Sequence, residues 1–339
     1  MDTTYISPVP GIATAPRGFR HEAVIYTGDD EFLDGTLQFV RDGFEAGEPT
    51  MVLVSRPKIR ALRDELAGDG ERLYFADMDA VGRNPACIIP AWTRFVDEHR
   101  TSASRLRGVG EPVWPECSPA ELDECRLHEL LLNVAFDATT PFWLRCPYDA
   151  AHLHDDVLTD AHDAHELVVR DGVSEPGANP GDARVSLDAP LPEPTVPVRE
   201  HRFATDTEIV ALRELVAERA RASGLPAQGV ADIVLAVHEI ATNSIRYGGG
   251  YGDARVWHDD AGLVCEIRDR GYITDPLVGR RAPRGDAVGG RGIWIANHLA
   301  DLVQLRSSPA GTTVRVHVRT PSVSSTRGPD DRTADAAQR

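Results

Sequence analysis

A chain of 339 residues is long enough for two domains, and its 42% apolar and 26% charged residues are those of ordinary soluble globular protein. Its 53 acids against 36 bases leave a net charge of −17, which argues against direct nucleic-acid binding, since a phosphate-tracking surface needs a basic footprint. Cys87, Cys117, Cys125, Cys146 and Cys265 are odd in number and contain no C-x-x-C pair, which argues against a disulfide framework and a structural zinc site and fits reduced thiols in a cytoplasm.

In chain order, residues 1–18 are rich in Pro, Gly, Thr and Ala and read as a disordered tail, without the basic and apolar segments of a secretory signal. No run approaches the roughly 20 apolar residues of a membrane span, so a soluble, cytoplasmic protein with no membrane attachment is expected. Short apolar runs of β type follow: EAVIYT (22–27), TMVLVS (50–55), RLYFAD (72–77), RLRGVGE (105–111) and FWLRCP (142–147). Helical patterns separate them, the clearest opening at Ser118 as N-cap, with Pro119 in the first helical position and Glu121 closing a capping box. Strands alternating with helices predict βαβ units and a three-layer α/β domain with a parallel sheet over residues 19–168. Residues 169–198 lose all apolar period to Pro, Gly and charge and read as a linker.

Residues 199–318 have another order: a strand (200–204), a helix (207–223), a second helix (227–247), two strands (254–258 and 263–269), a loop, a short helix (292–300) and two closing strands. This predicts a two-layer α/β sandwich with an antiparallel-rich sheet and helices on one face. Residues 319–339 read as a second disordered tail.

On the 227–247 helix, Val230, Ile233, Val234, Val237, Ile240, Ala241, Ser244 and Ile245 fill one arc, while Glu239 and Asn243 share the other side with Asp232. A carboxylate and an amide one turn apart suit a metal–nucleotide site, because an amide oxygen is a hard ligand for Mg²⁺. Three further features stand in order behind them. IRDRG ends a strand in Asp269 and a turn glycine, Gly271, where a carboxylate can accept the amine of adenine. GGRGIWIANHL runs Gly289, Gly290 and Gly292 into a helix whose N-terminus offers an anion site. AGTTVRVHV places Thr312 and Thr313 at the start of the last strand. Singly each has a plainer reading, as a solvated helix face, a capped strand, a flexible loop or a hairpin. Their order and spacing together point to a nucleotide.

With these motifs, residues 199–318 resemble the GHKL, or histidine-kinase-type, ATPases of Bergerat fold, and within them the anti-sigma-factor serine kinases. EIATNSIRYG resembles the asparagine box. The resemblance implies that Asn243 holds Mg²⁺ on the phosphates of ATP, that Glu239 is the general base, and that Arg246 belongs to the nucleotide site. Asp269 and Gly271 match the adenine box, Gly290, Arg291 and Gly292 the phosphate loop, and Thr313 the threonine near adenine. Ile273 stands where the adenine box often has a second glycine. The loop 274–288, with Arg280, Arg281 and Arg284, would be the lid over the phosphates.

The first domain resembles the MEDS sensory domain of methanogen and methylotroph regulators, through FRHEAVIYTGDDEFLDGTLQFVRDGFEAGEPTMVLVS, GEPVWPECSPAELDECRLHELLLN and FWLRCPYD. That resemblance implies a RecA-like fold. After EAVIYT, however, GDDEFL replaces the glycine run and lysine of a phosphate-binding loop, so sensing is expected here and ATP hydrolysis is not. His21, Glu111, Trp114, Glu129, Asn133 and Cys146 are candidates to bind the sensed ligand. His152, His154, His162 and His165 fall in an Asp-rich segment that reads as an exposed helix and not as a metal centre.

The expected protein is a signal-responsive transcriptional regulator: an ATP- and Mg²⁺-dependent serine/threonine kinase of anti-sigma type. Its partners would be an antagonist (anti-anti-sigma) protein, a sigma factor or both; a homodimer is compatible with this reading. A catalytically silent nucleotide switch and a sensor histidine kinase are the alternatives. The Pro-rich segment before the ATPase cannot form the helical hairpin that carries a phosphorylated histidine, which disfavours the last.

Overall fold

The computed structural model describes residues 18–101, 103–178, 185–283 and 290–320, and both expected tails lie essentially outside them. The first sheet holds seven strands in the order β3-β2-β4-β5-β1-β6-β7. They are β1 (Arg20–Tyr26), β2 (Thr50–Val54), β3 (Tyr74–Asp77), β4 (Leu106–Gly110), β5 (Phe142–Asp149), β6 (Leu167–Arg170) and β7 (Val173–Pro176). Pairings from β3 through to β6 are parallel, as the alternation of strands and helices requires.

Between the strands run α1 (Gly28–Ala46), α2 (Arg56–Leu66), α3 (Met78–Val81), α4 (Ile88–His99), α5 (Pro119–Ala135) and α6 (Asp155–Ala164). Every residue of β2 and β4 is buried, because helices cover both faces of the sheet. On one face α1 and α2 pack Phe39, Val40 and Leu62; on the other α4, α5 and α6 pack Trp92, Leu131 and Ala161. The capping box at α5 is present: Ser118 Oγ accepts from the Glu121 amide at 3.3 Å, and Glu121 Oε2 accepts from the Ser118 amide at 2.8 Å. Such a cap contributes about 1 kcal/mol and sets where α5 begins.

The expected linker starts too early. β6 and the antiparallel β7 form a hairpin that extends the first sheet through Pro176. Polar residues hid it, since β7 is exposed along its length. Further along, the segment lies on the second sheet: Leu187 O accepts from the Ser307 amide at 2.7 Å, and Glu193 binds Arg255 at 2.8 Å and Arg268 at 2.7 Å.

The second sheet is antiparallel throughout, in the order β11-β12-β10-β9-β8. Its strands are β8 (Arg199–Phe203), β9 (Gly252–Asp259), β10 (Gly262–Asp269), β11 (Leu302–Ser308) and β12 (Gly311–Arg319), with helices α7 (Asp206–Ala222), α8 (Ala227–Tyr247) and α9 (Arg291–Leu299). The helices cover one face, where Ile233, Val237 and Ile240 of α8 meet Val256, Ile267, Val314 and Val316 of the sheet. The fold is the expected pair: a three-layer parallel α/β domain, here with one antiparallel edge strand, and a two-layer sandwich.

Candidate nucleotide site and its seam with the sensory domain

Helix α8 buries the arc that its periodicity predicts, leaving Glu239 and Asn243 half-buried on the other side. The first turn of α9 closes on that pair. A Cβ built on Gly292 would stand 2.6 Å from Asn243 Nδ2 and 3.3 Å from Glu239 Cβ, so a larger residue there would displace the Asn243 side chain. Gly290, at φ +76°, caps α9, and its carbonyl accepts from the Trp294 amide at 3.0 Å. The N-terminal turn of α9, whose first amides have no partner within the helix, therefore packs beside the amide and carboxylate of α8.

Asp269 closes the other end of the site. Its Oδ2 accepts from Ser244 Oγ of α8 at 2.6 Å, and its Oδ1 accepts from the Gly271 amide at 2.8 Å. Gly248 packs against this carboxylate, where a Cβ would come within 2.4 Å of Asp269 Cγ. Sequence reasoning missed Ser244 as a positioning group, since on the helix wheel it counts only as a core position. Arg246 and Arg291 stand exposed at the C-terminal turn of α8 and the first turn of α9.

Thr313 does not join them. In the β10–β12 register Asp269 faces Thr312, whereas Thr313 faces Arg268 on the side of the sheet away from the helices. Strand alternation puts the neighbouring threonine, Thr312, on the helix-covered face beside Asp269. Thr312 Oγ1 donates to Gly271 O at 2.8 Å and lies 2.7 Å from Ser307 Oγ, which in turn accepts from the Ile273 amide at 2.8 Å. This network holds the backbone at Ile273, the residue that stands where the adenine box often has a second glycine.

The loop after β10 also departs from expectation. Leu277 is buried in the hydrophobic core of the first domain, and Arg280 is buried beside it rather than poised over phosphates. Glu124 of α5, itself only 1% exposed, accepts from Arg280 Nη2 at 3.0 Å and from Arg306 Nη1 at 2.6 Å. Asn84 Nδ2 donates to Asn297 O at 2.9 Å, and Asn297 Nδ2 donates to Gly279 O at 2.9 Å. Arg83 pairs with Asp301 at 3.0 Å, and Arg319 pairs with Glu121. The loop joining the adenine box to the phosphate loop is thus pinned to the sensory domain. Arg281 is exposed, while Arg284 and Gly289 lie outside the described residues.

The sensory-domain candidates divide into separate places. At the C-terminal ends of β1 and β4, Glu111 Oε1 accepts from Tyr26 OH at 2.6 Å and from Lys58 Nζ at 2.6 Å. Burial pushes the Glu111 carboxyl up despite the lysine. Where a phosphate loop would follow β1, the first turn of α1 carries Asp29, Asp30 and Glu31, which repel phosphate. Trp114 packs at the edge of the main core. His21, Glu129, Asn133 and Cys146 come together elsewhere, and His165 joins them. The expectation for the histidine segment holds only in part: α6 forms and His152, His154 and His162 are exposed, but His165 is fully buried. Its position just past the end of α6 turns it inward, which the acidic composition of the segment concealed.

One helix thus carries an amide and a carboxylate, with a glycine-led helix start packed against them and an aspartate at the end of a strand beside them. In keeping with this, residues 203–318 match the family model of the histidine kinase-like ATPase domain, and residues 20–166 match that of the MEDS domain (methanogen/methylotroph, DcmR sensory domain). The chain joins a MEDS sensory domain to a histidine kinase-like ATPase domain. No match is found among curated proteins. A solved structure with some likeness is that of the RsbU and RsbW domains of a Mycobacterium tuberculosis protein, at 18% identity and a TM-score of 0.28, covering 37% of this chain. The match spans 33% of that protein's chain. Among the described residues no helix is long and apolar enough to cross a membrane.

Proposed function

We propose that the chain is a signal-responsive serine/threonine protein kinase of anti-sigma type, transferring phosphate from ATP to an antagonist protein, with sigma-factor binding as its other output. The observation that carries this reading is the packing of Gly292 onto Asn243 and Glu239, which sets the anion-binding turn of α9 against a metal ligand and a base. The residues present fit Mg·ATP: Asn243 would hold the metal, the α9 turn the phosphates, and Asp269 with Gly271 the adenine. Bound Mg·ATP supplies an activated phosphoryl group whose charge the metal offsets. Glu239 accepts the proton of the incoming hydroxyl at its carboxylate, and Asn243, one turn on, keeps that hydroxyl and the metal in register.

The acceptor follows from the approach to the ATPase. Among the described residues no helix lies between α6 and α7, and residues 187–193 lie along the second sheet. A histidine-bearing hairpin has no place there, so the hydroxyl comes from a partner protein. Incubation with labelled ATP and candidate antagonist proteins should label a partner with an acid-stable phosphoester; an acid-labile product on this chain would overturn the reading.

The seam supplies the regulation. Glu124 links the sensory domain to Arg280, in the loop that connects the adenine and phosphate boxes. Glu124→Gln leaves buried arginines underpaired, and breaking one partner of a buried pair typically costs about 3–5 kcal/mol. The expected result is faster amide exchange over residues 275–280 and an altered nucleotide affinity. Unchanged exchange in that loop would show that the seam does not restrain it.

A further inference from the structure

We infer that the sensory domain contains a buried transition-metal site of the zinc class, formed by His21, Glu129, Cys146 and His165. Each of these residues is at most 2% exposed, and their ligand atoms all lie within 4.8 Å of one another. His21 Nε2 is 3.0 Å from Glu129 Oε2 and 3.3 Å from Cys146 Sγ, and His165 Nε2 is 3.1 Å from the same carboxylate oxygen. The ligands of a tetrahedral zinc ion, at about 2.0–2.3 Å from the metal, stand roughly 3.3–3.6 Å apart. These three spacings fall within a few tenths of an ångström of that, and the remaining pairs lie within 4.8 Å.

The hydrogen bonds around the cluster decide which atoms face its centre. Asn133 Nδ2 donates to Ala164 O at 3.0 Å, which turns Asn133 Oδ1 toward His21 Nδ1 at 3.1 Å. His165 Nδ1 lies 2.7 Å from Ala161 O. Both partners are acceptors only, so both rings carry their proton on Nδ1. In the neutral rings each Nε2 then presents a lone pair, and these converge with a carboxylate and a sulfur. With both rings protonated on Nδ1, neither Nε2 has a proton to give Glu129 Oε2, so these close approaches set lone pair against lone pair and leave both Glu129 oxygens and His165 Nε2 unsatisfied in a buried place. A cation at the centre satisfies all of them at once. Orientation of each imidazole through its outer nitrogen is the usual support of a metal-binding histidine. The donor set, two imidazoles, a carboxylate and a thiolate, suits zinc; binding releases the Cys146 proton to solvent.

Helix α5 carries Glu129 and Asn133 to this centre and Glu124 to the ATPase loop, so one rigid element joins the metal to the seam.

The test uses the full chain, stripped with chelator and then given Zn²⁺ or Co²⁺ alone. We expect uptake of about one equivalent per chain. The cobalt form should show the intense visible bands of a four-coordinate ion and a near-ultraviolet thiolate charge-transfer band. Cys146→Ser should lose the charge-transfer band, and Asn133→Ala, which spares all four ligands, should weaken metal affinity by about 10–100-fold. Uptake by the unmutated chain below about a tenth of an equivalent overturns the site, whatever the variants do. So does a cobalt spectrum that Cys146→Ser leaves unchanged.

Discussion

Replacing Asn243 by Ala should abolish tight binding of Mg·ATP, with an expected loss of about 100-fold or more, equivalent to about 2.8 kcal/mol. The substitution removes the amide oxygen proposed to hold the metal and leaves the α8 arc that packs on the sheet untouched, so the fold should survive. Isothermal calorimetry on the full chain decides the matter, and an unchanged affinity would remove the nucleotide assignment. The same variant tests the sensory domain. With the acidic first turn of α1 in place of a phosphate loop, no ATP hydrolysis should remain; turnover persisting in Asn243→Ala would locate a second ATPase in residues 20–166.

Glu239→Gln should separate binding from chemistry. Glutamine keeps the shape of the side chain and its hydrogen bonding but cannot take a proton. Nucleotide affinity should stay within a few-fold of the unmutated value, while phosphoryl transfer falls by about 10²-fold or more, the usual worth of a positioned base. Single-turnover transfer to the partner protein, measured at saturating ATP, reads this directly. Full transfer activity would mean that the carboxylate is only a solvated group on α8. Loss of binding together with transfer would assign Glu239 to positioning of the nucleotide.

Much of the candidate site was legible because its parts are local. Helix α8 runs over the residues its apolar period marks out, and the spacing of Glu239 and Asn243 places them one turn apart whatever surrounds them. Asp269 and Gly271 end a strand, and Gly290 and Gly292 open a helix, in patterns a few residues long. Thr313 shows the limit of this kind of reading. Adjacent strand residues point to opposite faces, and only the pairing of β12 with β10 sets Thr312 beside Asp269.

The pattern of short apolar strands, amphipathic helices and capping residues by itself determined two α/β domains of different architecture, because periodicity and caps are written within single elements. Helical periodicity likewise determined the one-turn spacing of Glu239 and Asn243 on α8, and the glycines the start of α9. Only the tertiary structure decided that Arg280 leaves the phosphates for Glu124, and that His165 meets His21, Glu129 and Cys146. These contacts join residues far apart in the chain and depend on how whole elements pack. Composition cannot foresee them, since a buried charge or imidazole is placed by the partner that satisfies it and not by its neighbours in sequence.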